Sequence, residues 1–245
     1  MVLPPKPPSK KGTVHEIAPQ ESNRAGIEDF LARVRTAGSQ PGGGNGRLIF
    51  AMDATMSRQP TWDMALQVQA EMFNAVKAVG RLDVQLVFFR GFHECRASRW
   101  VSDAGALARL MTSVECRGGY TQIRKVLKHV LREAASGKVS AVVYAGDAME
   151  ENPDELANLA GQLGLLSIPV FLFQEGHDGT ARACFQEIAR LTRGATCRFG
   201  SGSAGQLREL LEAVAVYAAG GRVALADYAK GRAAPTLLLE QMSKP

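Results

Sequence analysis

The chain has 245 residues, 46% hydrophobic and 22% charged, with a formal net charge of +5. That composition excludes a chain too polar to fold and describes a domain large enough to bury a core. No run of about 18 apolar residues proposes a membrane-spanning helix, and the basic residues are scattered, with no run that proposes nucleic acid.

Residues 1–46 read as an N-terminal tail rich in Pro and Gly. Its opening, Met1-Val2-Leu3-Pro4-Pro5-Lys6, lacks the continuous apolar stretch of a secretory signal, so a cytoplasmic location is expected. Ile27, Phe30, Leu31 and Val34 recur at helical spacing and predict a short amphipathic helix over 23–36. Pro41 and Gly42-Gly43-Gly44 mark a linker over 38–46.

Residues 48–52 are a short, continuous apolar run, the pattern of a strand buried on both faces. A helix is expected over 61–79, with Val68, Met72, Val76 and Val79 on one face, Thr61 as N-cap and Asp63 in the first turn. Residues 84–89 read as a second strand. Gly91 marks a turn, and 94–100 read as an antiparallel edge strand. Ile123, Val126, Leu127, Val130 and Leu131 define the next helix face. A strand over 139–145, a helix over 154–166, a strand over 168–173, a helix over 185–191, a strand over 196–199 and a closing helix over 206–218 complete the series. Residues 47–220 are thus expected as one domain and 221–245 as a C-terminal tail. In that tail Leu237-Leu238-Leu239 is an apolar cluster suited to docking on the domain or on a partner.

Alternation of this kind predicts an α/β architecture: an open, mainly parallel, doubly wound (Rossmann-like) sheet with one antiparallel edge strand and helices on both faces. Ligands of such sheets bind beyond the carboxyl ends of the strands. Three separated segments reach that end. Asp53-Ala54-Thr55-Met56-Ser57 leaves the first strand, Thr121 follows Gly118-Gly119-Tyr120 and opens a helix, and Asp147 ends the run Tyr144-Ala145-Gly146-Asp147. Two carboxylates and three hydroxyls are hard oxygen donors, suited to Mg²⁺ or Mn²⁺ and poorly suited to zinc or copper. Each residue also has a local alternative: Asp53 as a turn cap, Thr55 and Ser57 as turn hydroxyls, Thr121 as an N-cap and Asp147 as a loop residue. Arg58, Glu150 and Glu151 lie beside these residues and read as solvated surface charge, with tuning of partner choice as the alternative.

On these motifs and this element order, residues 47 to about 220 resemble a von Willebrand factor A domain of the bacterial cytoplasmic type. Asp53, Thr55, Ser57, Thr121 and Asp147 match the family's metal-ion-dependent adhesion site, with Thr55 where Ser is commoner. The resemblance implies that the hydroxyls ligate a metal directly and that the carboxylates bind it directly or through water. A remaining position then accepts an Asp or Glu carboxylate from a partner protein. It implies a non-enzymatic interaction module, in some relatives an adaptor for MoxR-type AAA+ ATPases.

Two other readings stay open: a scaffold component of a nucleoprotein assembly, and a phosphoester hydrolase using the metal to polarise phosphate or activate water. Three familiar chemistries lack their motifs. Gly42-Gly43-Gly44-Asn45-Gly46 precedes a strand instead of following one, and no Gly-x-x-x-x-Gly-Lys-[Ser/Thr] occurs. Asp53 also lacks an acidic residue two positions on, as a haloacid-dehalogenase-type phosphatase needs. His93 and His177 have no paired ligand spacing and read as surface histidines. Cys95, Cys116, Cys184 and Cys197 show no CxxC spacing and read as reduced, mostly buried thiols, with a Cys184–Cys197 bridge as the alternative.

Overall fold

A strand that is apolar on both sides has to be covered on both sides. Strand β1 (Gly46–Asp53) is of this kind: Leu48, Phe50 and Met52 enter one core cluster, Ile49 and Ala51 the other. The computed structural model describes residues 45–200 and 203–242 and shows how that cover is arranged. The helix expected over 23–36 and residues 38–44 of the linker expected over 38–46 lie outside the described residues, and Gly46, read as linker, instead opens β1.

From β1 the chain passes through a short 3₁₀ turn (Met56–Arg58) into α1 (Gln59–Val76), then β2 (Leu82–Arg90), β3 (Glu94–Val101) and α2 (Ala104–Thr112). It continues through α3 (Ile123–Ser136), β4 (Ala141–Gly146), α4 (Pro153–Leu165), β5 (Val170–Glu175), α5 (Gly179–Thr192) and β6 (Ala195–Phe199). Two helices close the described chain, α6 (Ala204–Tyr228) and α7 (Ala233–Met242). The six strands form one sheet in the order β3-β2-β1-β4-β5-β6. All pairings are parallel except β2 with β3, which is antiparallel at the edge. This is the α/β architecture expected from the pattern. Alternate strand residues divide between two cores: α1, α2, α6 and α7 cover one face, and α3, α4 and α5 the other.

Several expectations are corrected. Helix α1 begins at Gln59, so Thr61 lies buried in its first turn and does not cap it. Val79 is exposed beyond the helix end, in a turn where Val79 N–H and Gly80 N–H both donate to the Val76 carbonyl (2.9 Å each). Helix α2 was not anticipated; Asp103 caps it by accepting from Ala106 N–H at 2.8 Å, and Leu107 and Met111 are buried.

The stretch read as a tail from 221 onward is largely helical. Helix α6 continues past Ala218 through a kink at Gly221, whose φ of 69° falls in the left-handed region that glycine tolerates. Helix α7 then lies against the core with Leu238 fully buried. The Leu237-Leu238-Leu239 cluster thus docks on its own domain through Leu238 and Leu239, while Leu237 stays half-exposed. At the end of α7, the Gln241 side chain accepts from Thr196 N–H and donates to the Thr196 carbonyl, both at 2.9 Å. These contacts make α7 part of the fold. Leu238→Ala is expected to cost about 2–4 kcal/mol by cavity formation. Gln241→Ala is expected to cost about 1 kcal/mol by unpairing the Thr196 backbone. Urea denaturation of the two variants checks both.

Candidate metal centre

The chain adds β2 and β3 on one side of β1 and β4 to β6 on the other. The strand order therefore reverses between β1 and β4, which opens a crevice beyond their carboxyl ends. Asp53 is the last residue of β1 and is 2% exposed. Its Oδ1 accepts from Thr55 N–H at 2.7 Å. This side-chain-to-backbone turn swings the chain into the Met56–Arg58 turn and brings Thr55 Oγ1 to 3.3 Å from Ser57 Oγ. Thr55 is buried and Ser57 exposed. Met52 pairs with Ala145 of β4, so Asp147, two residues further on, leaves the sheet beside Asp53, half-buried.

Thr121 arrives from the other side of β1. Its loop is tied to the sheet end by two bonds, Arg117 N–H to the Ala54 carbonyl (2.9 Å) and Tyr120 N–H to the Gly91 carbonyl (3.1 Å). A Cβ on Gly119 would collide with the Gly91 backbone, so glycine is a steric requirement there. Thr121 is buried; its hydroxyl accepts from Glu150 N–H (3.2 Å) and its own N–H donates to Glu150 Oε2 (3.1 Å). Glu151 accepts from the N–H groups of Ile123 and Arg124. These two glutamates are therefore not idle surface charge. They fasten the start of α3 to the loop after β4, where a carboxylate also suits the helix N-terminus.

Arg58 departs furthest from expectation. Its side chain is 12% exposed, with Nη2 3.2 Å from Asp147 Oδ2 and Nη1 2.5 Å from Glu175 Oε2. The Thr61 hydroxyl bonds the same Glu175 oxygen, which is why Thr61 is buried. Arg58 Nε is buried without a protein partner. A cleft of about 730 Å³ opens here, lined by Arg58, Asp147, Glu175, His177, Arg198 and Gln206 among others. Burial pushes the Asp53 carboxyl up to about 6; the Thr55 hydrogen bonds and Arg58 oppose this shift, and the charge of Asp147 adds to it.

The structure thus joins Asp53, Thr55 and Ser57 by direct contacts. Asp147 is linked to them through charge and Arg58, and Thr121 to the Asp147 loop through Glu150. Among the described residues no group of three or more His, Cys, Asp or Glu side chains is arranged for a metal, so an ion here would depend on the hydroxyls. His93 and His177 are exposed, and His177 lies against Arg198. The four cysteines are free, three of them buried, and burial pushes all four thiols up to about 11, which leaves them poor nucleophiles. Of these features, the Arg58–Glu175 pair and the glutamate anchors were missed from sequence; the only local hint was that each lies within four residues of a candidate ligand or strand end.

No family model matches the sequence, and no curated protein matches it. Solved structures do. A von Willebrand factor type A protein from Catenulispora acidiphila superposes with a TM-score of 0.57 at 13% identity, over 73% of this chain and 43% of that one. This chain therefore spans less than half of that protein's length. An aerotolerance-related membrane protein from Bacteroides fragilis matches with a TM-score of 0.53 at 16% identity, over 69% of this chain and 96% of that one. The VWA domain of SpRpn10 matches with a TM-score of 0.53 at 12% identity, over 70% and 95%. At these identities the likeness concerns architecture, and it shows that this chain has a von Willebrand factor A-like fold.

Proposed function

We propose that this chain is a non-enzymatic protein-interaction module that receives an Asp or Glu carboxylate of a partner protein through Mg²⁺ or Mn²⁺ held by Asp53, Thr55, Ser57, Thr121 and Asp147. The observation that carries this reading is Asp53. It is a carboxylate 2% exposed, destabilised by burial and by Asp147, and placed beside two hydroxyls at the strand-order reversal. A buried anion in such a place favours a cation. The donor set is all oxygen, as Mg²⁺ requires. When bound, the ion supplies a Lewis-acid position for the incoming carboxylate, and the two aspartates balance its charge. The chain's own part is to hold the hydroxyls on a rigid sheet end, while Arg58 pairs with Asp147 until an ion displaces it. The resemblance to bacterial relatives that serve MoxR-type AAA+ ATPases makes such a cytoplasmic ATPase the first partner class to test. No helix among the described residues is long and apolar enough to cross a membrane.

The direct test is titration of Mg²⁺ into the full chain by calorimetry, followed by capture of an acidic partner in Mg²⁺ and in EDTA. Asp147→Ala and Thr121→Ala are each expected to weaken Mg²⁺ binding at least tenfold or so. Equal affinity for wild type and both variants would overturn the assignment. Arg58→Gln removes a competing cation from Asp147 and is expected to tighten Mg²⁺ binding severalfold in the same titration.

A second expectation concerns pH in the metal-free protein. The Asp53 carboxyl has a folded-state value of about 6 against an ordinary 3.8, so the folded chain retains a proton that the unfolded chain has lost. The associated stability is complete below pH 4 and lost as pH rises through about 6, up to about 3 kcal/mol. Asp53→Asn keeps the Oδ1 acceptor and removes the charge. In EDTA it is expected to raise Tm at pH 7.5 but not at pH 4, as measured by thermal unfolding at the two pH values.

A further inference from the structure

The two edges of the sheet are treated differently. At β6 the Gln241 amide bonds both backbone groups of Thr196, acting as a one-residue substitute strand. At β3 no strand pairs with the outer edge among the described residues; β3 pairs with β2 alone. A one-residue bulge between Ala97 and Trp100 breaks that pairing, so the regular part of the edge is 94–97. An uncovered edge is a template for strand addition, and proteins ordinarily blunt or cover it.

Over this regular part lies a groove of about 520 Å³ between β3 and α3. Val87, Cys95, Ala97 and Leu131 supply an apolar floor. Lys125, Lys128 and Arg132, spaced i, i+3 and i+7 along α3, form a cationic wall. Lys128 and Arg132 are exposed, and neither side chain has an ion-pair partner among the described residues. Lys125 is held at one end of the groove, its Nζ donating to the His93 carbonyl and to Gln122 Oε1 at 2.7 Å. The nearby acids are already engaged. Glu133 bonds Arg47 and Trp100, and Glu94 bonds Arg90 and Arg96.

We propose that β3 and α3 form a second docking site, distinct from the candidate metal centre, which takes a short acidic segment of a partner protein as an added strand. The bare edge supplies backbone hydrogen bonds, and alternate side chains of the added strand point to the α3 side. Glutamates at those positions lay their methylenes on the apolar floor and present their carboxylates to Lys128 and Arg132. A phosphate backbone would meet the same cations but leave both the floor and the edge unused, so the peptide is the better fit.

The test is fluorescence anisotropy of a labelled, acetylated hexapeptide of alternating glutamate and threonine with the full chain. Saturable binding is expected, unchanged by EDTA or Asp147→Ala, and weakened roughly tenfold or more by the double variant Lys128→Glu with Arg132→Glu. Both substitutions are at exposed positions, and an unchanged Tm shows that the variant is folded. A second arm uses the wild-type chain. Peptides N-methylated at one or the other set of alternate amides are compared, and one set is expected to abolish binding. Binding that survives both methylation patterns, or that ignores the double charge reversal, overturns the proposal. So does displacement of the peptide by a thymidine oligonucleotide at lower concentration than by unlabelled peptide, which would assign the groove to nucleic acid.

Discussion

Strand β1 shows apolar side chains to both of its faces and is hydrogen-bonded along both edges, and neither face tolerates water. That double burial dictates the rest of the molecule. Helices have to lie on both sides of the sheet, and the chain has to return to β1 from opposite directions to complete its pairing. The reversal of strand order follows from this second requirement. A crevice at the carboxyl ends of β1 and β4 is its geometric residue, and Asp53 and Asp147 leave their strands into that crevice.

Two carboxylates converging on a partly buried crevice repel each other, and the fold counters this with a cation of its own. Arg58 lies between Asp147 and Glu175 and so crosses from the strand bearing one candidate ligand to the end of β5. Among the described residues Asp53 has no such ion pair; it accepts from the Thr55 N–H, feels Arg58 only at longer range, and carries the cost of burial. The charge at this end of the sheet is therefore divided unequally. One carboxylate is satisfied from within the chain, and the other is left with a cation deficit that an external ion fills in the proposed reading. A guanidinium already bound at Asp147 sets the threshold such an ion has to exceed, because ion-pair energy in a partly desolvated site is comparable with the energy of the competing contact.

The sheet was legible in the sequence because its strands are continuous apolar runs, such as Leu48 to Met52, bounded by Gly and polar residues. Their length and branching leave little ambiguity. The candidate ligands were legible for a related reason: each sits directly after such a run or before a helix face. Contacts between side chains remote in sequence were not. Nothing near Arg58 announces Glu175, 117 residues away, and Thr61 has the chemistry of an N-cap whether or not a carboxylate claims its hydroxyl. Basic residues that look scattered along the sequence, Lys125, Lys128 and Arg132, become one stripe only once α3 is wound. Helix α2 was missed although Asp103, Leu107 and Met111 carry its cap and face, because it is short and follows an edge strand directly. The closing helix was legible over 206–218, but its extension through Gly221 and helix α7 were not, because they depend on glycines at positive φ that let the chain bend back onto the core.

The sealing of β6 by Gln241 has a consequence in time. Residues 195–199 and their cover are separated by more than forty positions of chain. During synthesis residues 195–199 are made before the helix that covers them. In that interval β6 presents unpaired backbone next to apolar surface that Leu238 will later occupy, so a nascent chain stalled before residue 241 resembles a sticky half-sheet more than a finished domain. Closure of the β6 edge therefore waits on a segment more than forty residues downstream, and the backbone of Thr196 is paired there by one side-chain amide.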